Sequence, residues 1–395
     1  MIVVKLKKDR ERSLIRKHPW VFSGAMNSVK GEPKNGETVK VISNDGKFLC
    51  WAAYSAKSQI SLRAWSFNEN ETIDENFFYK QIDNALLYRE QFINSPDSNS
   101  YRLINAESDG LPGIIVDIYD RFVVCQFLSA GAEQWKSTIV KILVEKINPL
   151  GIYERSDVDV REKEGLKLES GVLFGETPPE ILEIIENGNK FIIDIINGHK
   201  SGFYLDQKIN RKLLADYSKD KEVLNCFSFS GGFALYALRA GAVKIINVDS
   251  SKDALMLAEK NILLNGFKND QFENVEDDVF KYLRKLRDSN RKFDIIILDP
   301  PKFAESFNQI EKASRGYKDI NLLAFKLLKP NGVLFTFSCS GHISVDLFNK
   351  IIADAALDSG RKVNVISYLT QSPDHTISTN FPESLYLKGL ICSAQ

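Results

Sequence analysis

The chain has 395 residues, more than one hydrophobic core usually organises, so we expect two or three domains. Its 44% hydrophobic and 26% charged residues are typical of a globular protein and exclude a disordered or fibrous chain. No apolar run approaches the roughly 20 residues that cross a bilayer, and the mixed-charge N-terminus differs from a secretory signal. The five scattered cysteines include no CxxC pair, which argues against a disulfide framework or a zinc site. We therefore expect a cytoplasmic protein with reduced thiols and no metal.

Positive charge is concentrated at the N-terminus. Residues 1–65 contain thirteen Lys and Arg against five Asp and Glu, and seven of the thirteen lie between Lys5 and Lys17. Because the formal net charge of the whole chain is zero, the remaining residues are net acidic. The asymmetry predicts an N-terminal module that faces a polyanion; the alternative is a basic surface that only contacts solvent.

Short β-rich runs separated by glycine-containing turns make up this N-terminal segment and predict a small β-barrel or sandwich. Its strands are predicted over Ile2–Leu6, Thr38–Ile42, Phe48–Tyr54 and Ile60–Trp65. An α+β segment follows, and residues 175–179 (GETPP) are the best candidate for a linker after it. Its predicted elements are a helix over Phe77–Ile93, a hairpin of Ile114–Tyr119 with Phe122–Leu128, and a helix over Trp135–Ile147.

From Val223 onward, apolar strands alternate with helices, which predicts a parallel, doubly wound α/β sheet. Ligands bind such sheets at the carboxyl ends of the strands, so residues that directly follow a strand are the candidates for chemistry. The predicted strands are Val223–Phe227, Val243–Val248, Phe272–Val275, Phe293–Leu298 and Val333–Phe337, with Val363–Ile366 and Leu385–Ile391 closing the chain.

The turns after the first three strands have the character of a nucleoside site. Gly231 and Gly232 open a helix where the backbone can approach a ligand closely, and Asp249 is placed to bond a ribose hydroxyl. The G-x-G-x-x-G spacing of a dinucleotide site is missing, so a ligand with ribose and adenine but no phosphate fits better than NAD. We expect S-adenosylmethionine (SAM); the alternative is a Gly-Gly pair used only for a tight turn. The predicted cofactor contacts in these turns are Phe227, Ser228, Gly231, Gly232, Asp249, Asp278 and Val279.

The next two strands end in residues 299–303 (DPPKF) and 338–341 (SCSG). Neighbouring strands lie roughly 4.8 Å apart, so Asp299 and Cys339 should emerge side by side at the cofactor edge. The rigid proline turn would hold the Asp299 carboxylate and the Pro300 carbonyl towards a bound group. A thiol beside a methyl donor predicts covalent catalysis, because thiolate attack at C6 of a pyrimidine lets C5 accept the methyl group. Asp299 would then bond the N3/N4 edge of cytosine.

Cysteine is more often a small buried hydrophobe than a nucleophile. We give that interpretation to Cys50, Cys125, Cys226 and Cys392. Cys339 differs because it lies past a strand end among polar neighbours.

Longer strings in the chain closely resemble the ribosomal large-subunit methyltransferase I family. In the catalytic half they are VLNCFSFSGGFALYALRAG (223–241), DPPKF (299–303), GYKDINLLAFKLL (316–328) and TFSCSG (336–341). Elsewhere they are HPWVFSGA (18–25), AESDGLPGIIVDIYD (106–120), IYERSD (152–157), NGHKSGFYLDQKINR (197–211) and YLKGL (386–390). The resemblance covers nearly the whole chain.

The resemblance implies a homodimeric 5-methylcytosine methyltransferase of 23S ribosomal RNA. It implies a PUA-like RNA-binding barrel over residues 1–72, a central α+β domain over 73–185 and a Rossmann-like class I SAM-dependent methyltransferase domain over 186–395. It makes Cys339 the nucleophile and places Asp206 and Gln207, in the YLDQ segment, over the cofactor.

Some residues keep two interpretations. Arg155, Lys302, Arg315 and Lys318 are candidate RNA contacts, together with Pro300 through its carbonyl, and the alternative for each charged side chain is plain solvation. His375 also matches the family, either as a capped loop histidine or as a catalytic group.

Three other functions compete with cytosine C5 methylation. Methylation of a base amino group also suits an Asp-Pro-Pro-aromatic turn, but that chemistry has no use for a thiol at position 339. A dehydrogenase fits the glycine pattern poorly. A silent RNA-binding assembly factor would have no need of the intact set of Gly231, Gly232, Asp249, Asp299 and Cys339.

Overall fold

The structure is a computed structural model that describes residues 1–198 and 201–395. Its contacts divide the chain into two compact units. The first consists of residues 1–185, 193–205 and 373–384, and the second of residues 186–192, 206–372 and 385–395. No helix in the described ranges is both long and apolar enough to span a membrane. The motif at 197–211 lies partly outside the described residues.

The first unit begins with a six-stranded sheet in the order β2-β6-β5-β4-β1-β3. Alternating side chains of β1 and β4, including Val4, Leu6, Val39 and Val41, form its core. The four predicted strands are confirmed, but β2 and β3 were missed, because β2 has only three residues and β3 is mostly polar and exposed. The elements are β1 (Val3–Leu6), α1 (Arg12–Ile15), β2 (Trp20–Phe22), β3 (Met26–Lys30), β4 (Thr38–Ile42), β5 (Phe48–Tyr54) and β6 (Ile60–Ser66).

A five-stranded sheet in the order β11-β10-β9-β8-β7 follows in the same unit. The predicted hairpin is confirmed, with Asp120 at its turn in a left-handed conformation. The first long helix begins after Asp74, whose carboxylate accepts the Phe77 N–H at 3.1 Å. The elements are α2 (Glu75–Phe92), β7 (Ser100–Asn105), β8 (Ile114–Tyr119), β9 (Phe122–Phe127), α3 (Ala130–Gln134), α4 (Lys136–Ile147), β10 (Gly151–Ser156), α5 (Val160–Lys163) and β11 (Glu169–Gly175).

Residues 176–181 form no regular element, whereas Gly175, the first residue of the predicted linker, is the last residue of β11. A two-stranded sheet follows, made of β12 (Leu182–Glu186) and β13 (Asn189–Ile193). The domain boundaries at residues 72 and 185 stay a prediction.

The second unit is a seven-stranded sheet in the order β16-β15-β14-β17-β18-β20-β19, which confirms the α/β prediction. The first five strands are parallel, and β20 is antiparallel to both of its neighbours. All seven predicted strands are present. The elements are α6 (Lys208–Ser218), β14 (Glu222–Cys226), α7 (Gly232–Arg239), β15 (Lys244–Asp249), α8 (Lys252–Leu264), β16 (Phe272–Glu276), α9 (Val279–Asp288), β17 (Phe293–Leu298), α10 (Ile310–Leu327), β18 (Leu328–Ser338), α11 (Val345–Ser359), β19 (Val363–Leu369) and β20 (Lys388–Ala394).

Helices cover both faces of this sheet because successive strand residues point to opposite sides. Val223 of β14 packs with α6, α7 and α8, whereas Leu224 packs with α9, α10 and α11. The strand order reverses between β14 and β17, so a crevice is expected at the carboxyl ends of these two strands.

Candidate active site

The turn after β14 contains three left-handed residues, Phe227 (φ 57°), Phe229 (φ 46°) and Gly231 (φ 76°). Two of them are phenylalanines, for which this conformation is unfavourable, and such strain is concentrated at functional sites. Glycine at 231 also has a packing reason, since a Cβ there would lie 2.9 Å from the Ala258 Cβ. From the sequence, Gly231 was explained only by the close approach of a ligand. The close packing of α8 is a second reason for glycine at this position.

Asp249, the last residue of β15, holds the two neighbouring turns together. One of its carboxylate oxygens accepts the Phe229 N–H and the other accepts the Ser251 N–H, both at 2.9 Å. A carboxylate oxygen can accept more than one hydrogen bond, so Asp249 can still accept a ribose hydroxyl. Nearby in sequence, the Ser228 hydroxyl is buried and has no hydrogen-bond partner in the part of the chain that the structure describes. A buried hydroxyl and a carboxylate fit SAM, which brings hydroxyls and an amino group but no phosphate.

Asp206 and Gln207 lie directly before α6, and both are buried. The Tyr386 hydroxyl donates to Asp206 at 2.7 Å, and Asn210 donates to the Gln207 side-chain oxygen at 2.6 Å. In the third turn, Asp278 is exposed and caps α9 by accepting the Lys281 N–H at 3.0 Å. Val279 lies in the core. Each of these predicted cofactor residues therefore also has a structural role.

The structure brings Cys339 next to the DPPKF turn, as the order of β17 and β18 predicts. Leu298 pairs with Thr336 across the two strands, and the Cys339 Sγ lies 3.9 Å from the Pro300 carbonyl oxygen. Asp299 and Cys339 are both half-buried. The thiol is thus open to a ligand at the strand edge.

Ser340 fastens the two turns to each other, a role that sequence reasoning missed. Its hydroxyl oxygen accepts the N–H groups of Phe303 and Ala304 at 3.1 and 3.2 Å. The hydroxyls of Ser340 and Tyr317 share a hydrogen bond of 3.0 Å, and the Tyr317 ring packs against the Phe303 ring. The sequence signal that could have indicated this role is the position of Ser340 directly after Cys339 in the SCSG motif.

Lys388 was also missed, although a lysine inside the apolar run of β20 is itself unusual. Its side chain is buried, and its Nζ donates to the Ser340 carbonyl at 2.8 Å. Burial lowers the pKa of Lys388 to about 8, with the Lys302 cation acting in the same direction and Cys339 opposing it.

The other four cysteines are buried, as predicted. Burial raises the pKa of the Cys226 thiol well above its ordinary value, and it has the same effect on Cys50, Cys125 and Cys392. Thiols of this kind stay protonated and unreactive at neutral pH.

The candidate RNA residues differ in exposure. Lys302 and Arg315 are exposed, and Arg315 pairs with Glu311 one helical turn earlier. Lys318 pairs with Asp358 at 2.7 Å. Arg155 is buried, and its guanidinium donates to the Ile195 and Gly198 carbonyls, which favours a structural role.

His375 belongs to the first unit. It is buried, and its Nδ1 lies 3.0 Å from the Asp374 carboxylate, which also accepts the Arg102 N–H. This environment is that of a histidine held by a buried polar network.

Residues 167–375 match the family model described as S-adenosylmethionine-dependent methyltransferase, and residues 4–67 match that of a PUA-like domain. The chain is therefore a SAM-dependent methyltransferase that carries a PUA-like domain. It is 54% identical to ribosomal RNA large subunit methyltransferase I of Vibrio parahaemolyticus, over 98% of each chain. It is 52% identical to the protein of that name from Shewanella amazonensis, over 99% of this chain and 98% of the relative. The chain belongs to the ribosomal RNA large subunit methyltransferase I family.

Solved structures agree on the fold. A crystal structure of a candidate methyltransferase in complex with SAH has a TM-score of 0.87, at 24% identity over 100% of both chains.

Proposed function

We propose that this enzyme methylates C5 of a specific cytosine in 23S ribosomal RNA through a covalent bond between Cys339 and C6. The observation that carries the proposal is the position of Cys339. Alone among the five cysteines, all of which are described, it lies outside the core, beside the Pro300 carbonyl at the strand edge where the cofactor turns end. The ribosomal RNA substrate is supported by the name shared by relatives at 52% and 54% identity. Because ribosomal RNA is the proposed substrate, the cytoplasm is the proposed location of the enzyme.

Asp299 and Cys339 carry the steps that lead to methyl transfer. Asp299 holds the N3/N4 edge of the cytosine and helps N3 acquire a proton as the Cys339 thiolate adds to C6. Bound SAM supplies the methyl group that C5 then accepts. Loss of the C5 proton to water or a base returns the electron pair to the ring and expels the thiolate, and N3 gives up the proton that it acquired, which leaves neutral 5-methylcytosine. Ser340 keeps the Asp299 turn and the thiol at a fixed separation throughout.

The direct test is mass spectrometry of ribosomal RNA. Large-subunit RNA from cells without this protein, incubated with the enzyme and SAM, should gain one methyl group, found as 5-methylcytidine in a single fragment. A methyl group on a base nitrogen would contradict the proposal and favour amino-group methylation. Light scattering of the same protein tests the homodimer, which also remains a proposal.

Cofactor binding should depend on Asp249. Asp249→Ala is expected to weaken SAM binding by about 1.5–3 kcal/mol, because it removes a hydrogen bond to a charged acceptor. Isothermal titration calorimetry measures the change. Asp253→Ala, which removes an exposed carboxylate in the first turn of α8, is the control and should bind SAM normally. An unchanged affinity in a folded Asp249→Ala protein would remove Asp249 from the proposed contacts.

The other proposed cofactor contacts are Asp206, Gln207, Phe227, Ser228, Gly231, Gly232, Asp278 and Val279.

The PUA-like domain is the proposed RNA-binding surface. Around α1, Lys8, Arg10, Arg12, Arg16 and Lys17 are exposed and form no ion pair with a carboxylate in the described part of the chain. In the second unit, the Pro300 carbonyl, Lys302, Arg315 and Lys318 are the proposed RNA contacts near the thiol.

Removing charge at α1 should therefore reduce the salt dependence of RNA binding. In the triple variant Arg12→Ala, Arg16→Ala, Lys17→Ala, the slope of log K against log salt should fall by about 2, since each lost phosphate contact removes roughly 0.7–0.9. Fluorescence anisotropy at several salt concentrations measures the slope. The control triple Lys252→Ala, Lys260→Ala, Lys268→Ala removes exposed lysines of the second unit. Equal slopes for the two triple variants and the wild type would show that the basic residues around α1 do not contact RNA phosphates.

A further inference from the structure

Lys388 lies beside the proposed nucleophile on the neighbouring strand. In the β18–β20 pairing it is directly opposite Ser338, the residue before Cys339. Its Nζ is tied to the Ser340 carbonyl, the residue after Cys339, at 2.8 Å. The strand register thus places Lys388 beside the turn that presents the thiol, and the hydrogen bond holds its amino group there.

A lysine in this position has an unusual environment. Lys388 is only 6% exposed, and no carboxylate among the described residues forms an ion pair with it. A buried amine without a carboxylate partner is destabilised as a cation, and for this reason the pKa of Lys388 is lowered to about 8. Both the neutral amine and the ammonium are therefore accessible near neutral pH, and a nearby anion would favour the ammonium.

We propose that Lys388 is a positioning residue that takes the proton from the Cys339 thiol and then holds the thiolate as an ion pair. The S–H bond breaks, its electron pair stays on sulfur, and an N–H bond forms on Lys388. The sulfur is then free to form the bond to C6. The proposal rests on the nucleophilic role of Cys339 in the proposed function and assigns the group that activates it.

The other titratable groups around the thiol, in the part of the chain that the structure describes, do not replace Lys388. Lys302 is cationic but exposed, so solvent screens it. Tyr317 shares a hydrogen bond with Ser340, and burial raises its pKa, so the phenol stays protonated at neutral pH. Asp299 is an acid whose negative charge would oppose a neighbouring thiolate. Among the residues that the structure describes, Lys388 is thus the buried group whose charge favours a thiolate.

The test is the pH profile of Cys339 alkylation in the full-length protein without RNA or SAM. Iodoacetamide reacts with the thiolate, and mass spectrometry of the Cys339 peptide gives the rate at each pH. The wild-type midpoint is expected below the ordinary value of about 8.5. In Lys388→Met the midpoint should rise by about 1–3 pH units, as for loss of a close opposite charge. Lys388→Arg retains a cation and should keep the low midpoint. The control Lys312→Met, which removes an exposed lysine of α10, should leave it nearly unchanged.

Each result decides the proposal. A wild-type midpoint at or above the ordinary thiol value overturns it without any variant. Coincident profiles for wild type and Lys388→Met overturn it as well. The shift is independent of the site of methylation, so a shifted profile with no methyl group on C5 would keep the ion pair and reject the proposed function. Methylation at C5 with an unshifted profile would support the proposed function and reject the ion pair between Lys388 and Cys339.

Discussion

Cys339→Ala is expected to abolish methylation, with a rate loss of at least about 10³-fold, because the variant cannot form the bond to C6 that activates C5. The wild-type enzyme should form a stable covalent adduct with RNA that carries 5-fluorocytidine, and only when SAM is present. Fluorine cannot leave C5 as a cation, so the thiolate cannot be expelled. Denaturing gel electrophoresis detects the adduct, and Cys339→Ala should form none.

Binding should survive in this variant. Cys339 is half-buried at the edge of the sheet, so its truncation leaves little cavity, and affinities for SAM and RNA should stay close to wild type. The matched control is Cys226→Ala, which removes a thiol from the core beneath the same sheet edge. Cys226→Ala should lose some stability but still form the adduct. Wild-type methylation by Cys339→Ala would contradict covalent catalysis and put methylation of a base amino group first.

The second large effect concerns stability. The guanidinium of Arg211, on α6, donates twice to the Glu186 carboxylate, at 2.8 and 2.7 Å, and both side chains are buried. The Tyr236 hydroxyl donates to the same carboxylate. Arg211→Met should lower the free energy of unfolding by about 3–5 kcal/mol, because it leaves the Glu186 charge buried without its cation. Chemical denaturation of the variant measures the loss.

Arg315→Met, which breaks an exposed pair with Glu311, is the control and should change stability little. Equal stabilities for Arg211→Met and the control would show that the buried pair contributes nothing.

The same ion pair supports the turn proposed to bind the cofactor. The Arg211 Cδ would lie 3.0 Å from a Cβ placed on Gly232, so the arginine side chain packs directly on the first residue of α7. Loss of this support should weaken SAM binding in addition to stability. Arg211 is the last residue of the string at 197–211 that resembles the family. Nothing in that string indicates that its partner is Glu186, 25 residues earlier in the chain.

Much of the fold followed from local patterns in the sequence. The alternation of strands and helices after Val223 predicted the doubly wound sheet, because a periodicity of two or of 3.6 reflects which side of an element is buried. The adjacency of Cys339 and the Pro300 turn also followed, since parallel strands that are neighbours present their carboxyl ends together. Cys50, Cys125, Cys226 and Cys392 were correctly assigned to the core, because cysteine is most often a small buried hydrophobe.

Other features exist only through contacts between distant segments. Strand β3 is polar and exposed, and only its pairing with β1 makes it a strand. Arg155 has the positive charge expected of an RNA contact. Its guanidinium is buried and donates instead to the carbonyls of Ile195 and Gly198. Lys388 is 49 residues from Cys339 in the sequence, and the antiparallel insertion of β20 beside β18 brings them together. The sequence by itself determined most of the elements and which residues end the strands of the parallel sheet. The tertiary structure alone decided which charges are buried and paired, because burial and pairing depend on neighbours that the local pattern does not encode.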